Sequence, residues 1–199
     1  MSRAETVLRR IVTDLQELHR RFALVGGLAV SVRAEPRLTR DADLAVSVAN
    51  DQDAESLVRD LQARGWRVAA AIEQDVAARL AAVRLALDGQ DERGAVVDLL
   101  FASSGIEPEV VEMADTIEAF PGFAVPVARL GHLIALKVLA RDDRERPQDR
   151  VDLGALLTRA DAAAMDEARA ALALVIERGF ERGRDLRAGL EAAVREFLA

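Results

Sequence analysis

The 199-residue chain is long enough to bury a substantial core, and its length suggests one domain, or a compact domain with a helical appendage. It is 51% hydrophobic and 31% charged, and no apolar run nears the roughly 20 residues a membrane-spanning helix needs, so a soluble, cytoplasmic protein without membrane association is expected. Its net charge of -7 argues against wholesale electrostatic coating of nucleic acid, and the absence of cysteine excludes disulfides, thiolate nucleophiles and cysteine metal sites.

Val7, Leu8, Ile11, Leu15 and Leu18 recur at spacings of three and four, which predicts an amphipathic helix over residues 4–21. This charged opening lacks the uninterrupted apolar core of a secretory signal. Phe22-Ala-Leu-Val25 is a short apolar run ending at Gly26-Gly27, and helical spacing resumes over 28–33, so the glycine pair should lie at a strand-to-helix turn. Pro36 marks a loop. Residues 41–46 alternate like a half-buried strand, and a helix over 54–64, closed by Gly65, should follow. Residues 66–71, 80–87 and 95–101 read as further strands, with 88–94 a hairpin loop between the last two. Beyond Ser103-Ser-Gly the pattern turns helical, interrupted at 121–126 where a short strand fits, with helices expected at 129–140, 149–158, 162–177 and 186–198. The expected fold class is α/β (α+β): a mixed half over 1–125 and a helical half over 126–199 that share one cleft.

Glycines at a helix entrance let the backbone approach a ligand and leave N–H groups facing it, as phosphate requires, although such a pair can also be a plain turn. Asp41 and Asp43 lie two apart on a predicted strand, so both carboxylates leave one face and can converge on a divalent cation. Asp51 and Asp53 repeat the spacing but stand in polar surroundings suited to helix capping. Asp98 is embedded in Ala95-Val-Val-Asp-Leu-Leu-Phe101, where an acid is costly without a cation or hydrogen-bond partner. If its strand lies beside that of Asp41, the three carboxylates form an oxygen cage for two Mg²⁺ (or Mn²⁺) ions carrying a nucleoside triphosphate, and Asp98 could double as general base. Lys137, the only lysine, lies between Leu136 and Val138 on a mostly apolar helix, where it needs an anionic partner unless that face is exposed.

The string Val25-Gly-Gly-Leu-Ala-Val, followed by Arg37-Leu-Thr-Arg-Asp-Ala-Asp-Leu44, resembles the signature of polymerase-β-type nucleotidyltransferases, and more narrowly the AbiEii and MenT toxins of toxin–antitoxin systems. Leu136-Lys-Val-Leu-Ala140 and Gln148-Asp-Arg-Val-Asp-Leu153 are similar to that family's helix lysine and its later acidic motif, with Gln148 where a basic residue is usual. The resemblance runs over about residues 22–157. It implies a polymerase-β-like core with a mixed sheet and a C-terminal helical part. Asp41 and Asp43 would be metal ligands, Gly26 and Gly27 the phosphate cradle and Lys137 a contact to nucleotide phosphates. Asp152 would be the helical acid near the catalytic centre, with Asp149 beside it, although an acid in a helical first turn can simply favour the helix dipole.

The reaction the resemblance implies is transfer of a nucleoside monophosphate, a pyrimidine preferred, to the 3′ end of tRNA, with pyrophosphate released and aminoacylation blocked. A cognate antitoxin would be a partner, in some relatives a kinase-like protein that phosphorylates the position of Thr39. A phosphate there adds roughly -1.5 to -2 charge beside the carboxylates, an off-switch, whereas an unmodified hydroxyl could simply satisfy a nearby backbone group. Rival readings are an antibiotic-modifying nucleotidyltransferase with an acidic pocket for cationic drugs, and a non-catalytic partner-binding protein. Arg141, Arg144, Arg146 and Arg150, with the pairs Arg9-Arg10 and Arg20-Arg21 on the first helix, could grip RNA, although a mixed charge run is commonly a solvated face. His19 and His132 read as ordinary helix residues.

Overall fold

The computed structural model describes residues 2–37, 39–74, 79–87, 95–142 and 147–198. Helix α1 (Arg3–Glu17) precedes strand β1 (Phe22–Val25), α2 (Gly26–Arg33), β2 (Ala42–Val46) and α3 (Asp51–Ala63). Then come β3 (Trp66–Gln74), β4 (Arg79–Leu87), β5 (Val97–Leu100), α4 (Glu107–Glu112) and the pair β6 (Asp115–Phe120) and β7 (Phe123–Val127). Four helices follow: α5 (Leu130–Ala140), α6 (Pro147–Arg159), α7 (Ala162–Glu177) and α8 (Leu186–Leu198).

One seven-stranded mixed sheet has the order β3-β4-β5-β2-β1-β7-β6. Its centre is set by β2, antiparallel to β1 and parallel to β5, while β1 runs parallel to β7. One face of the sheet carries Leu44, Val83, Leu85, Val97 and Leu99 into the core, against the apolar stripes of α1 and α3. Alternation along the strands sends Asp43, Arg84 and Asp98 to the opposite face, which looks toward α5 and α6. No helix among the described residues is long and apolar enough to cross a membrane.

Three local expectations are corrected. Helix α1 ends at Glu17 rather than at residue 21: His19 turns to φ +54°, so Arg20 and Arg21 lie beyond the helix, and His19 is not helical. Arg20 instead pairs with Asp53 at 2.6 Å. The stretch after Ser103-Ser-Gly is not helical up to residue 121, because α4 is a short helix and β6 pairs with β7 around a turn at Gly122, φ +69°. An edge strand with one open face carries little apolar signal, and only β7 coincides with the strand expected there. The expected hairpin loop at 88–94 lies outside the described residues, although β4 and β5 do pair antiparallel. Asp51 and Asp53 sit in the first turn of α3, as their surroundings suggested, with Asp53 accepting from the Ala49 backbone N–H at 3.0 Å.

Candidate active site

The site is a row across four strands. Arg84 of β4 is the register partner of Asp98 in β5, Asp98 of Asp43 in β2, and Asp43 of Val25 in β1, where α2 begins at Gly26. Neighbouring strands are about 4.8 Å apart, so directly opposed residues on one face are in interaction range. Asp41 stands one residue before β2 and, two positions from Asp43, belongs to the same face. Asp41, Asp43 and Asp98 thus line one cleft of about 910 Å³, together with Gly26, Gly27, Thr39 and, from the helical half, Lys137 and Asp149.

Asp43 is partly buried in the wall of this cleft. Burial, with the charges of Asp98 and Asp41, pushes its carboxyl up to about 6, against the opposing pull of Lys137 and of the Gly27 backbone N–H. An acid so placed favours any cation that can share it. The backbone beside it has no spare room: a Cβ on Gly26, which holds φ +62°, would meet Asp43 Oδ2 at 1.9 Å, and one on Gly27 would meet the Arg37 guanidinium at 2.4 Å. Only glycine allows the turn and the close approach together, as a phosphate cradle needs. Thr39 leans on this turn, its hydroxyl 3.4 Å from the Asp41 carbonyl it donates to.

Asp98 is held by a residue that no sequence motif singled out. Arg84 Nε and Nη2 donate to its Oδ1 and Oδ2 at 2.8 and 2.7 Å, a two-point fork that raises the arginine's own proton affinity. In this conformation no group of three His, Cys, Asp or Glu among the described residues is arranged to hold a metal ion. The donor chemistry nevertheless suits a hard divalent cation: the candidate ligands are all carboxylate oxygens, and one is partly buried at the cost of a raised proton affinity.

The opposite wall is built on α5 and α6. The need of Lys137 for an anion is met twice, by Asp149 at 2.6 Å and Asp152 at 2.8 Å. Asp152 is 1% exposed and does not line the cleft. It also takes Arg37 at 2.8 Å and the Gln148 amide at 3.0 Å, so Gln148 serves as a neutral donor at the position where the resemblance implied a basic residue. Burial pushes Asp152 up, but the hydrogen bonds from Lys137, Gln148 and Arg37 outweigh it and hold its carboxyl below the usual carboxylate range. Asp152 therefore brackets two cations, Lys137 and Arg37, at the mouth of the glycine turn. Arg37 lay inside the quoted motif without a role, and Arg84 could have been found only by knowing the β4–β5 register.

Other candidates lie elsewhere. Arg141 and Arg150 both pair with Glu196 of α8, Arg10 bonds Asp14 at 2.8 Å and Arg9 pairs with Glu5, while Arg144 and Arg146 lie outside the described residues. These arginines tie elements together. His132 is buried in α5, and burial lowers its proton affinity.

Solved structures share this architecture. The chain resembles an antigenic nucleotidyltransferase-like protein from Paracoccidioides brasiliensis (17% identity, 96% of this chain and 93% of that one, TM-score 0.54). It is equally similar to the antibiotic-resistance factor ANT(2″)-Ia (17% identity, 96% of each chain, TM-score 0.55). The lincosamide antibiotic adenylyltransferase LnuA, with lincomycin bound, follows at 12% identity over 78% of this chain and 98% of that one, with a TM-score of 0.50. At these identities the likeness concerns the fold, a nucleotidyltransferase fold. No curated protein matches in sequence. The family described as nucleotidyl transferase AbiEii toxin, type IV TA system, matches residues 7–198, nearly the whole chain. With the glycine turn, the aspartate row and the bracketed lysine in one cleft, the chain belongs to the AbiEii nucleotidyltransferase toxin family.

Proposed function

We propose that this protein transfers a nucleoside monophosphate, preferring a pyrimidine nucleotide, from an NTP to the 3′ acceptor end of tRNA in the cytoplasm, releasing pyrophosphate. The modified tRNA would no longer accept an amino acid, and translation would stop. The observation that carries the choice of acceptor is the charge of the cleft. Its described lining holds four acids, Asp41, Asp43, Asp98 and Asp149, and four bases, Arg37, Arg84, Lys137 and Arg182. The protein as a whole is at -7, yet its cleft is balanced. Divalent cations at the aspartates would make it net positive, which favours a polyanionic nucleotide and an RNA end over a cationic drug.

The glycine turn at Gly26 and Gly27 lets a triphosphate approach the backbone closely at the start of α2, where the Gly27 N–H is shared with Asp43, and Lys137 and Arg37, oriented by Asp152, supply countercharge. Asp41, Asp43 and Asp98 would hold Mg²⁺ or Mn²⁺. Bound there, the ions would lower the pKa of the attacking hydroxyl and neutralise charge on the leaving pyrophosphate. A toxin–antitoxin family brings a cognate antitoxin as partner. A kinase-like antitoxin acting on Thr39 would put a dianion against Gly27, repelling the triphosphate. A phosphomimetic Thr39→Glu should therefore abolish transfer, and full activity in that variant would remove the switch.

The test is incubation with total tRNA, Mg²⁺ and each labelled NTP in turn, beside an Asp41→Ala control. Label on tRNA that is strongest with CTP or UTP and lost in the control is the expected result. Label only on an added aminoglycoside or lincosamide would assign a small-molecule acceptor instead.

A further inference from the structure

Among the described residues, two of the three aspartates of the row face the cleft without an arginine fork, while the third is gripped. Arg84 stands opposite Asp98 in the β4–β5 register and closes on both carboxylate oxygens, at 2.8 and 2.7 Å. These are the two oxygens with which Asp98 would serve as a metal ligand, and the fork takes a lone pair on each and offsets the carboxylate's charge, so guanidinium and metal ion compete for the same group. The pair is not sealed in: the side chain of Arg84 is 47% exposed and that of Asp98 17%. At that exposure the fork adds little to fold stability. Arg84 also feels Asp41 and Asp43, so it faces the whole acidic row rather than one partner.

We infer that Arg84 is the resident counter-cation of the metal site. It neutralises Asp98, the lateral neighbour of the partly buried Asp43, while no divalent ion is bound, and it releases at least one Asp98 oxygen when one arrives. Without it, two carboxylates directly opposed on adjacent strands would repel. Metal loading is then an exchange of one cation for another, and Arg84 sets the affinity. Once released, its guanidinium remains in the cleft wall, next to the place where phosphate charge would collect. This inference rests on the reading of Asp41, Asp43 and Asp98 as metal ligands.

The experiment titrates Mn²⁺ into the full-length, nucleotide-free protein and follows free Mn²⁺ by electron paramagnetic resonance. Arg84→Gln should bind Mn²⁺ roughly three- to tenfold more tightly than wild type, the size expected for removal of a partly exposed two-point ion pair. Removing a positive charge would tighten binding anywhere near the site, so the decisive comparison is made in an Asp98→Asn background. There, Arg84→Gln should gain clearly less than in the wild-type background, because the competition for Asp98 has gone and only the field of Arg84 on Asp41 and Asp43 remains. An equal gain in both backgrounds would reduce Arg84 to a general field effect, and no gain in either would make the fork a simple cross-strand tie; each overturns the inference. Wild type and variants that all fail to bind Mn²⁺ would overturn the metal reading together with it, whereas wild-type binding lost on Asp43→Asn leaves that reading standing whatever Arg84 does. Should Arg84→Gln melt early, Arg84→Lys, which keeps the charge and loses the fork, carries the same comparison.

Discussion

Replacing Asp43 by asparagine should stabilise the metal-free protein while destroying its activity. The Asp43 carboxyl lies at about 6 against 3.8 for an unperturbed aspartate, roughly two units, and each unit is worth about 1.4 kcal/mol between the two protonation states. Because the folded-state value is raised, folding costs nothing extra below pH 4, where the group is protonated in both states. The cost grows between pH 4 and 6 and is complete above pH 6, reaching at most about 3 kcal/mol, less where cleft water reaches the carboxylate. Asparagine keeps the acceptor for the Gly27 N–H and removes the charge. In EDTA at pH 7.5 the variant should therefore melt several degrees higher, at about 2–4 °C per kcal/mol for a chain of this length. Carboxylates held low by arginines, such as Glu109 and Asp115, lose their contribution as pH falls, so the quantity to follow is the difference between variant and wild type. That difference should grow from pH 4 to 6.5. A variant that melts lower than wild type at pH 7.5, or a difference flat across that range, would refute the account of Asp43.

Gly26→Ala should abolish nucleotide transfer and lower stability by about 1–2 kcal/mol, because its Cβ would fall 1.9 Å from Asp43 Oδ2 at a left-handed φ; thermal melts and transfer assays check both. Asp152→Asn should raise the KM for NTP more than it lowers kcat, since it loosens the shared bracket on Lys137 and Arg37 without touching the aspartate row; a pure kcat loss would instead make Asp152 part of the reaction centre. Asp14→Ala leaves the buried Trp66 indole N–H, now 2.8 Å from Asp14 Oδ2, without its acceptor, and should cost about 1–3 kcal/mol in urea unfolding with activity intact below the transition.

Much of the chain was legible locally. The turn from β1 into α2 at Gly26, the acidic opening of β2, and the stripes of α7 and α8 are written in residues one helical turn or two strand positions apart, and sequence records that periodicity directly. Lys137 was legible as a cation needing an anion because its apolar neighbours left it no other resolution. Its partners were not: Asp149 and Asp152 meet it only once α6 packs beside α5. The edge strand β6 escaped because an open face needs no apolar alternation.

The acidic row itself divides the same way. Residue type and alternation placed Asp41, Asp43 and Asp98 on strand faces, and the family motif gave Asp41 and Asp43 a purpose. Only the tertiary structure decided that Asp98 lies beside Asp43 and under Arg84, because strand register between distant segments is set by core packing and turn geometry, which no local spacing encodes. Sequence by itself determined which acids and cation could do chemistry here; the folded sheet determined which of them meet, and that an arginine grips Asp98.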